Sequence, residues 1–246
     1  MGTFVATSHK VHVGALDLTS LTETVDIGNL SIVAVPFTNF GSGGFVENKP
    51  GLKSGKCTIG TFADFADDGP DEVLNAALLA GTQFPISCDP CPTGTSTAGD
   101  PAWFSRGYLA AQPFGGATGD AAKSALELMY DTVILRGVVA HPSAARTATG
   151  NGATFALAGP TAAQRLYCGL HVFAYSGLTS LTVKVQSDSA SNMASPTDRL
   201  TMTANTAIGH EFKSTAGAWD TETHHRIVYT IVGTGSVTFA AYLAVL

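Results

Sequence analysis

The chain has 246 residues, of which 45% are hydrophobic and only 13% charged, with a formal net charge of −6 at pH 7. That length holds one large β domain or two ordinary ones, with a core that needs no metal or disulfide. The acidic balance and the scatter of the 13 Lys and Arg residues exclude the basic stripe of a nucleic-acid binder, and no apolar run approaches the roughly 18 residues that span a bilayer.

In chain order, Met1 to Leu18 lacks the charged start, apolar run and cleavage pattern of a secretory leader. Free thiols are therefore expected at Cys57, Cys88, Cys91 and Cys168. Val11–Leu18 alternates weakly and predicts an early strand. Thr24–Phe37 contains a second, in which Ile32, Ala34 and Pro36 oppose Val33 and Val35. Pro36 cannot donate to a ladder, so it ends that strand or marks an edge. Thr38–Ser54 is rich in Gly, Asn, Ser and Pro and reads as a long loop, or a loose hairpin, carrying Phe40, Phe45 and Val46. Aromatic residues on an exposed loop are expected to dock on something, either a neighbour or their own domain.

Lys56–Phe65 predicts a strand, and Pro70–Ala80 a helix. Asp68 or Gly69 caps it, Pro70 suits the first position, and Asp71 and Glu72 sit at the positive end of its dipole. Val73, Leu74, Ala77 and Leu78 form its apolar stripe, and Gly81 stops it. Phe84–Cys88 is a short strand, Asp89–Asp100 a surface loop, and Trp103–Ala111 and Ser124–Val139 further strands joined by a turn at Gly115–Gly119. By propensity Ala121–Tyr130 also passes as a helix, but Leu126, Leu128 and Tyr130 alternate, which favours a strand. His141–Ala153 is the best linker candidate.

Beyond it, strands are expected near Phe155–Leu157, Arg165–Tyr175, Leu181–Gln186, Arg199–Ala204, His224–Ile231 and Val237–Leu246. The stretch Arg165–Asp188 reads as two strands with a tight turn at Ser176–Gly177. Its first strand is apolar on both faces, so two layers should cover it. Val237–Leu246 should be a buried central strand. Regular short strands between turn residues predict an antiparallel sandwich or jelly roll.

Candidate chemistry is thin. Cys88-Asp89-Pro90-Cys91 is a C-x-x-C with no helix behind it to lower a thiol pKa, and a zinc site wants a second pair at ligand spacing. His224 and His225 are adjacent on a strand and face opposite ways, which predicts one at an interface and one in solvent. The acids Asp64, Asp67, Asp68, Asp71 and Glu72 are explained by the helix dipole more simply than by calcium. No nucleophile elbow, Walker loop, dinucleotide fingerprint or H-E-x-x-H occurs. No catalytic, cofactor or metal residues are assigned.

A resemblance adds a specific expectation. Gln164-Arg165-Leu166-Tyr167, Leu170-His171-Val172, Leu181 to Asp188, Ser195-Pro196-Thr197-Asp198-Arg199-Leu200-Thr201 and Arg226 to Ile231 with Phe239 are similar to the C-terminal part of phage-type tail proteins. Gly119-Asp120-Ala121-Ala122 leading to Leu135-Arg136-Gly137 is similar too. The resemblance covers the second half well and the first half loosely, and it rests on strand and turn patterns. It implies the major tail tube protein of a long-tailed, siphovirus-like bacteriophage, assembled in the host cytoplasm and residing in the virion tail. The implied fold is mainly β: an antiparallel β-sandwich tail-tube domain over 1–145 with a flanking helix at 70–80, then a C-terminal β-sandwich or jelly-roll-like domain over 150–246. Such subunits form stacked hexameric rings around a DNA conduit. Implied partners are further copies, the tape measure, tail terminator and distal tail proteins, and viral DNA in passive contact, with no membrane and no cofactor. Phe40, Phe45 and Val46 would sit on the loop that reaches the neighbouring ring.

The low charge agrees with a subunit buried on several sides, and the net negative charge with a conduit that repels phosphates. Two alternatives stay open. One is another virion structural protein, such as a capsid decoration or head fibre. The other is a carbohydrate-binding sandwich or adhesin, for which Trp103, Trp219 and Tyr175 are the candidate platform residues.

Overall fold

A computed structural model describes residues 8–37 and 47–246, with the backbone alone at 28, 29, 37 and 47. The chain is mainly β and antiparallel, with one α-helix among the described residues. The expected early strand is β1 (Lys10–Val13) and β2 (Leu16–Asp17), folded back at Gly14 with φ +57°. Next come β3 (Thr22–Phe37) and β4 (Glu47–Phe62), an antiparallel pair of 16 residues each. Of the two readings of Thr38–Ser54 the hairpin holds over Glu47–Ser54, which pairs with β3 in spite of Pro50 and Gly51, because cross-strand pairing overrides their local preference.

Helix α1 (Pro70–Ala80) starts and stops as the sequence predicts. Gly69 is the N-cap, Pro70 opens the first turn, and Gly81 closes it in the left-handed region at φ +63°. The Glu72 side chain accepts the Asp68 backbone N–H at 3.0 Å, a capping contact that shields the start. Leu74, Ala77 and Leu78 pack into the core, while Val73, expected in the stripe, is exposed.

Then follow β5 (Gln83–Asp89), β6 (Pro101–Ala111), β7 (Phe114–Gly115), β8 (Lys123–Tyr130) and β9 (Leu135–Arg146). Strand β8 buries Ser124, Leu126 and Leu128 and exposes Ala125 and Glu127, so alternation beats helix propensity there. The linker expected at His141–Ala153 is a correction. His141–Arg146 belongs to β9, pairs with the last strand and buries His141.

After the short β10 (Gly150–Asn151) and β11 (Phe155–Ala156) comes β12 (Arg165–Asp188), 24 residues long. Then come β13 (Thr197–Thr201), β14 (Gly209–Ala216), which the sequence pattern misses, and β15 (His224–Val245). The expected hairpin at Ser176–Gly177 is therefore not one. The chain runs straight on, and β12 pairs with β15 from Leu166↔Val245 to Asp188↔His224. Gly177 (φ +70°) and Gly233 (φ +102°) mark bulges, not turns. A Cβ on Gly235 would lie 1.9 Å from the Ser176 carbonyl oxygen, so the two strands meet too closely there for any side chain. Across these bulges the deeply buried positions of β12 change from Leu166, Cys168, Leu170 and Val172 to Leu181, Val183 and Val185. A register slip does this because the side-chain period is two.

Hydrogen bonding runs through one sheet in the order β13, β12, β15, β9, β6, β5, β1, β2. Strands β3 and β4 attach to it through β8. Strand β15 is central, as the sequence predicts, between β12 and β9. The largest apolar cluster follows the β12–β15 pair from Leu166 and Leu243 to Val185 and Ile227. A second lies under α1 around Ile59, Ile86 and Leu128. A third joins Phe104 and Leu135 to Tyr242. Strand β9 ends at Arg146 and β10 begins at Gly150, and both pair with β15.

Candidate assembly interface

Beyond its base, the β3–β4 pair is a two-stranded ribbon. Strand β8 pairs with β4 only from Lys56 to Phe62, and Tyr130 donates its hydroxyl to the Ile27 carbonyl at 2.9 Å. From Leu30↔Gly55 to Phe37↔Glu47 no third strand is present among the described residues. Isolated two-stranded ribbons are marginal in water, and this one is apolar. Leu30, Ile32, Val33 and Val35 are 47–54% exposed, and Leu52 is 84% exposed. Ile32 and Val33 are neighbours, so they face opposite ways and both ribbon faces are open. The outer edge of β3 carries no charge from Gly28 to Phe37, where an edge strand normally carries Lys or another blocking charge. Pro36 sits on that edge strand, as its chemistry requires. Burying the open half of each apolar side chain would contribute on the order of 1 kcal/mol. The expected contact residues Phe40, Phe45 and Val46 lie outside the described residues, between the ends of these two strands.

The sequence pattern missed Leu30, Val35 and Leu52 as site residues. A signal was present: Ile32 to Val35 is apolar at every position, which a half-buried strand is not.

A second exposed apolar group lies at the other end of β4. Phe65 and Phe114 are 64% and 52% exposed, with ring centroids 5.9 Å apart, and Phe62, just before Phe65 in the chain, is exposed with Lys123 over its ring. The same segment carries Asp64, Asp67 and Asp68 and leads into Asp71 and Glu72 of α1. Among the described residues no ion pair reaches any of these five carboxylates. Farther along α1, Leu79 is 82% exposed, and another part of the helix borders a groove of about 430 Å³ lined by Val73, Ala76, Ala80 and Ile208.

The second face of β12 is covered from within. His171 donates from Nδ1 to the Gly14 carbonyl at 2.6 Å and accepts from Ser87 at Nε2, 2.8 Å away. Tyr242 donates its hydroxyl to His12 Nδ1 at 2.8 Å. These bonds tie β1 and β5 to β12 and β15. Burial drives both imidazoles to neutrality: His12 falls to about 3, with Lys10 adding to the effect, and His171 falls well below its ordinary value. His141 falls to about 4 by burial and the adjacent Arg146, whose guanidinium donates to its Nε2 at 3.2 Å.

The rejected chemistries can be placed. All four cysteines are free and buried, and burial pushes Cys57, Cys88 and Cys168 up to about 12, which keeps them protonated and inert. Cys91 reaches about 12 through burial and the neighbouring Asp89. Among the described residues no group of three or more His, Cys, Asp or Glu could hold a metal ion. His224 and His225 do face apart. His225 is buried against Phe155, and burial lowers it to about 4. Its cross-strand partner Ser187 does not form a nucleophile pair with it. The Ser187 hydroxyl donates to Glu222 and accepts from Arg199 Nε at 2.9 Å.

The candidate platform residues are engaged too. Arg199 lies 4.8 Å over the Trp219 ring, Arg136 lies 5.8 Å over Trp103, and Tyr175 donates to the Asn205 carbonyl at 3.1 Å.

No family model matches the chain, and no curated protein does. Solved structures give distant likenesses. A chain of a native gene transfer agent virion is 12% identical with a TM-score of 0.43, covering 55% of this chain and 98% of its own. A chain of the sheath–tube complex of the extracellular contractile injection system PVC, in its extended state, is 14% identical with a TM-score of 0.45, covering 56% and 93%. The Dit protein of phage SPP1, described as a paradigm of the hub adsorption apparatus in phages infecting Gram-positive hosts, is 12% identical with a TM-score of 0.39, covering 97% and 99%. All three scores are below 0.5, so none carries a functional assignment.

Proposed function

We propose that this protein is a structural subunit of a phage-type virion tail, and specifically the major tube subunit of a siphovirus-like tail. Copies close into hexameric rings, and the rings stack into a hollow tube through which viral DNA passes. The observation that carries this reading is the β3–β4 ribbon: apolar on both faces, open at its edges and unsupported beyond Leu30. A subunit left alone in water would expose that ribbon to uncontrolled pairing, whereas a closed assembly covers it. The strand-and-turn resemblance of Gln164–Leu246 supports the same reading. Within it, residues 1–145 form the tube wall, with the ribbon and its Phe40, Phe45 and Val46 crossover reaching the adjoining ring. Residues 150–246 form a second domain on the tube exterior. Tape measure, terminator and distal tail proteins would meet the tube inside and at its ends, and DNA would slide past without specific contact.

The test is to express the chain alone, concentrate it and view it by negative-stain electron microscopy. Stacked rings or hollow tubes are expected. A uniform monomer at high concentration, or a closed trimer, would overturn the tube assignment. Deleting Phe40–Val46 should leave a folded subunit that does not stack; tubes of normal length from that variant would remove the crossover's role.

A further inference from the structure

Resting on the self-assembly reading, we propose which surface receives the ribbon: the aromatic corner formed by Phe62, Phe65 and Phe114, rimmed by Asp64, Asp67 and Glu72, on a second copy of this chain.

Two surfaces of one subunit are complementary in both apolar and charged character. The free part of the ribbon presents Leu30, Ile32, Val33, Val35 and Leu52 and carries Lys53, and Lys56 stands at its base, where β8 joins. From residue 29 to residue 56 it has a single acid, Glu47. The corner presents three exposed Phe side chains, and its charged residues from 63 to 72 are all acids. No Lys or Arg occurs between Lys56 and Arg106. Lys53, Lys56, Asp67 and Glu72 are all exposed. One base stands in the corner: Lys123 lies 5.3 Å over the Phe62 ring and is already paired with Glu23 at 2.7 Å, so the remaining acids set the sign of the corner. Elsewhere acids and bases are interleaved and pair locally, as Lys184 does with Asp198 at 2.7 Å.

The occupant must be another copy. Along β4, Lys53 lies nine residues before Phe62, and at about 3.3 Å per residue that holds the lysine roughly 30 Å from its own corner. An extended, paired strand does not fold back on itself, so opposite charges segregated along one rigid element meet only between molecules. Aromatic rings offer an apolar floor to Leu and Val side chains, and the carboxylate rim fixes register more than it adds affinity.

The test uses the full chain in two charge variants. One is Lys53→Glu with Lys56→Glu. The other is Asp64→Lys with Asp67→Lys and Glu72→Lys. Circular dichroism confirms that each folds, and sedimentation velocity with negative-stain microscopy reads assembly. In each variant alone, ribbon and corner carry like charge, and the concentration needed for assembly should rise at least tenfold. Mixed one to one, each ribbon meets an opposite corner, and assembly should return toward the wild-type concentration. If wild type and both separate variants assemble alike, the corner assignment is overturned while self-assembly stands. If both variants fail and the mixture fails too, these residues do not face one another and the assignment is again overturned. If the wild type itself stays monomeric, the self-assembly reading falls and takes this pairing with it.

Discussion

Two long antiparallel ribbons dominate this molecule, and they have opposite surroundings. The β12–β15 pair has a neighbour on each side: β13 and β14 extend β12, while β9, β10 and β11 extend β15. Its inward side chains, from Leu166 to Val185 and from Ile227 to Leu243, are almost all fully buried. The β3–β4 pair has the same local geometry but loses its one extra neighbour after Lys56. Pairing alone is therefore not what makes a strand stable here. The flanking strands turn one ribbon into the core, and the lack of them leaves the other as a surface.

The largest effect that sharpens this contrast comes from the supported ribbon. Phe239→Ala or Leu170→Ala removes a fully buried side chain from the main apolar cluster and should cost about 3–5 kcal/mol. Urea denaturation of soluble monomer, or loss of soluble expression, reads this. A loss below about 1 kcal/mol would mean that the cluster does not carry the fold.

A smaller effect is expected at the clamp holding β13 to β12. Arg199 and Glu222 form an ion pair that is about four-fifths buried on both sides, with Ser187 between them and Trp219 beneath the guanidinium. Glu222→Ala leaves the cation without its carboxylate and should cost about 1–3 kcal/mol. The same change made at the exposed Lys123–Glu23 pair should cost less than about 1 kcal/mol. Equal losses at the two pairs would contradict the difference in burial.

The buried histidines lie in and beside the supported ribbon and set a pH dependence. His12, His171, His141 and His225 all have folded pKa values below the ordinary value of about 6.5. The unfolded chain therefore takes up protons first as pH falls. The stability conferred by neutral burial is complete above pH 6.5 and erodes as pH drops toward 4, by up to about 1.4 kcal/mol per pH unit for each histidine. Urea midpoints at pH 7.5, 6 and 5 should fall steadily. His12→Gln should flatten the slope, since one proton fewer is gained on unfolding. A slope unchanged by the substitution would mean that His12 is already protonated or solvated in the folded chain.

How much of this was legible before the structure differs between the ribbons for physical reasons. Helix α1 was readable because Pro70, the first-turn acids and Gly81 act locally. Strand β8 was readable because Leu126 and Leu128 alternate. The β12–β15 ribbon was half readable. Ser176–Gly177 looks like a turn, since a left-handed glycine serves a turn and a bulge equally; only the partner strand, with Gly233 and Gly235 opposite, decides between them. The same reasoning explains why Pro50 and Gly51 concealed the outer half of β4. The docking surface was the least legible. Leu30 and Leu52 look like core residues in any sequence, and only the absence of a third strand among the described residues shows that they are not.

The smallest effect on the subunit should be the largest on its assembly. Ile32→Ser, Val33→Ser and Leu52→Ser each alter a side chain that is half exposed or more in the single chain. Surface substitutions of this kind stay within about 0.5 kcal/mol of the starting stability. If the ribbon is the assembly element, the three changes together should leave the urea midpoint nearly where it was and yet abolish rings and tubes. The Phe239→Ala change predicts the reverse pattern, lowering stability directly and affecting assembly only in proportion to the folded fraction. The comparison fails if the triple variant assembles normally, because the ribbon would then be exposed without being used. It fails differently if the triple variant loses several kcal/mol, because the ribbon would then pack on its own subunit. Only loss of assembly with stability retained separates the two ribbons in the way their surroundings require.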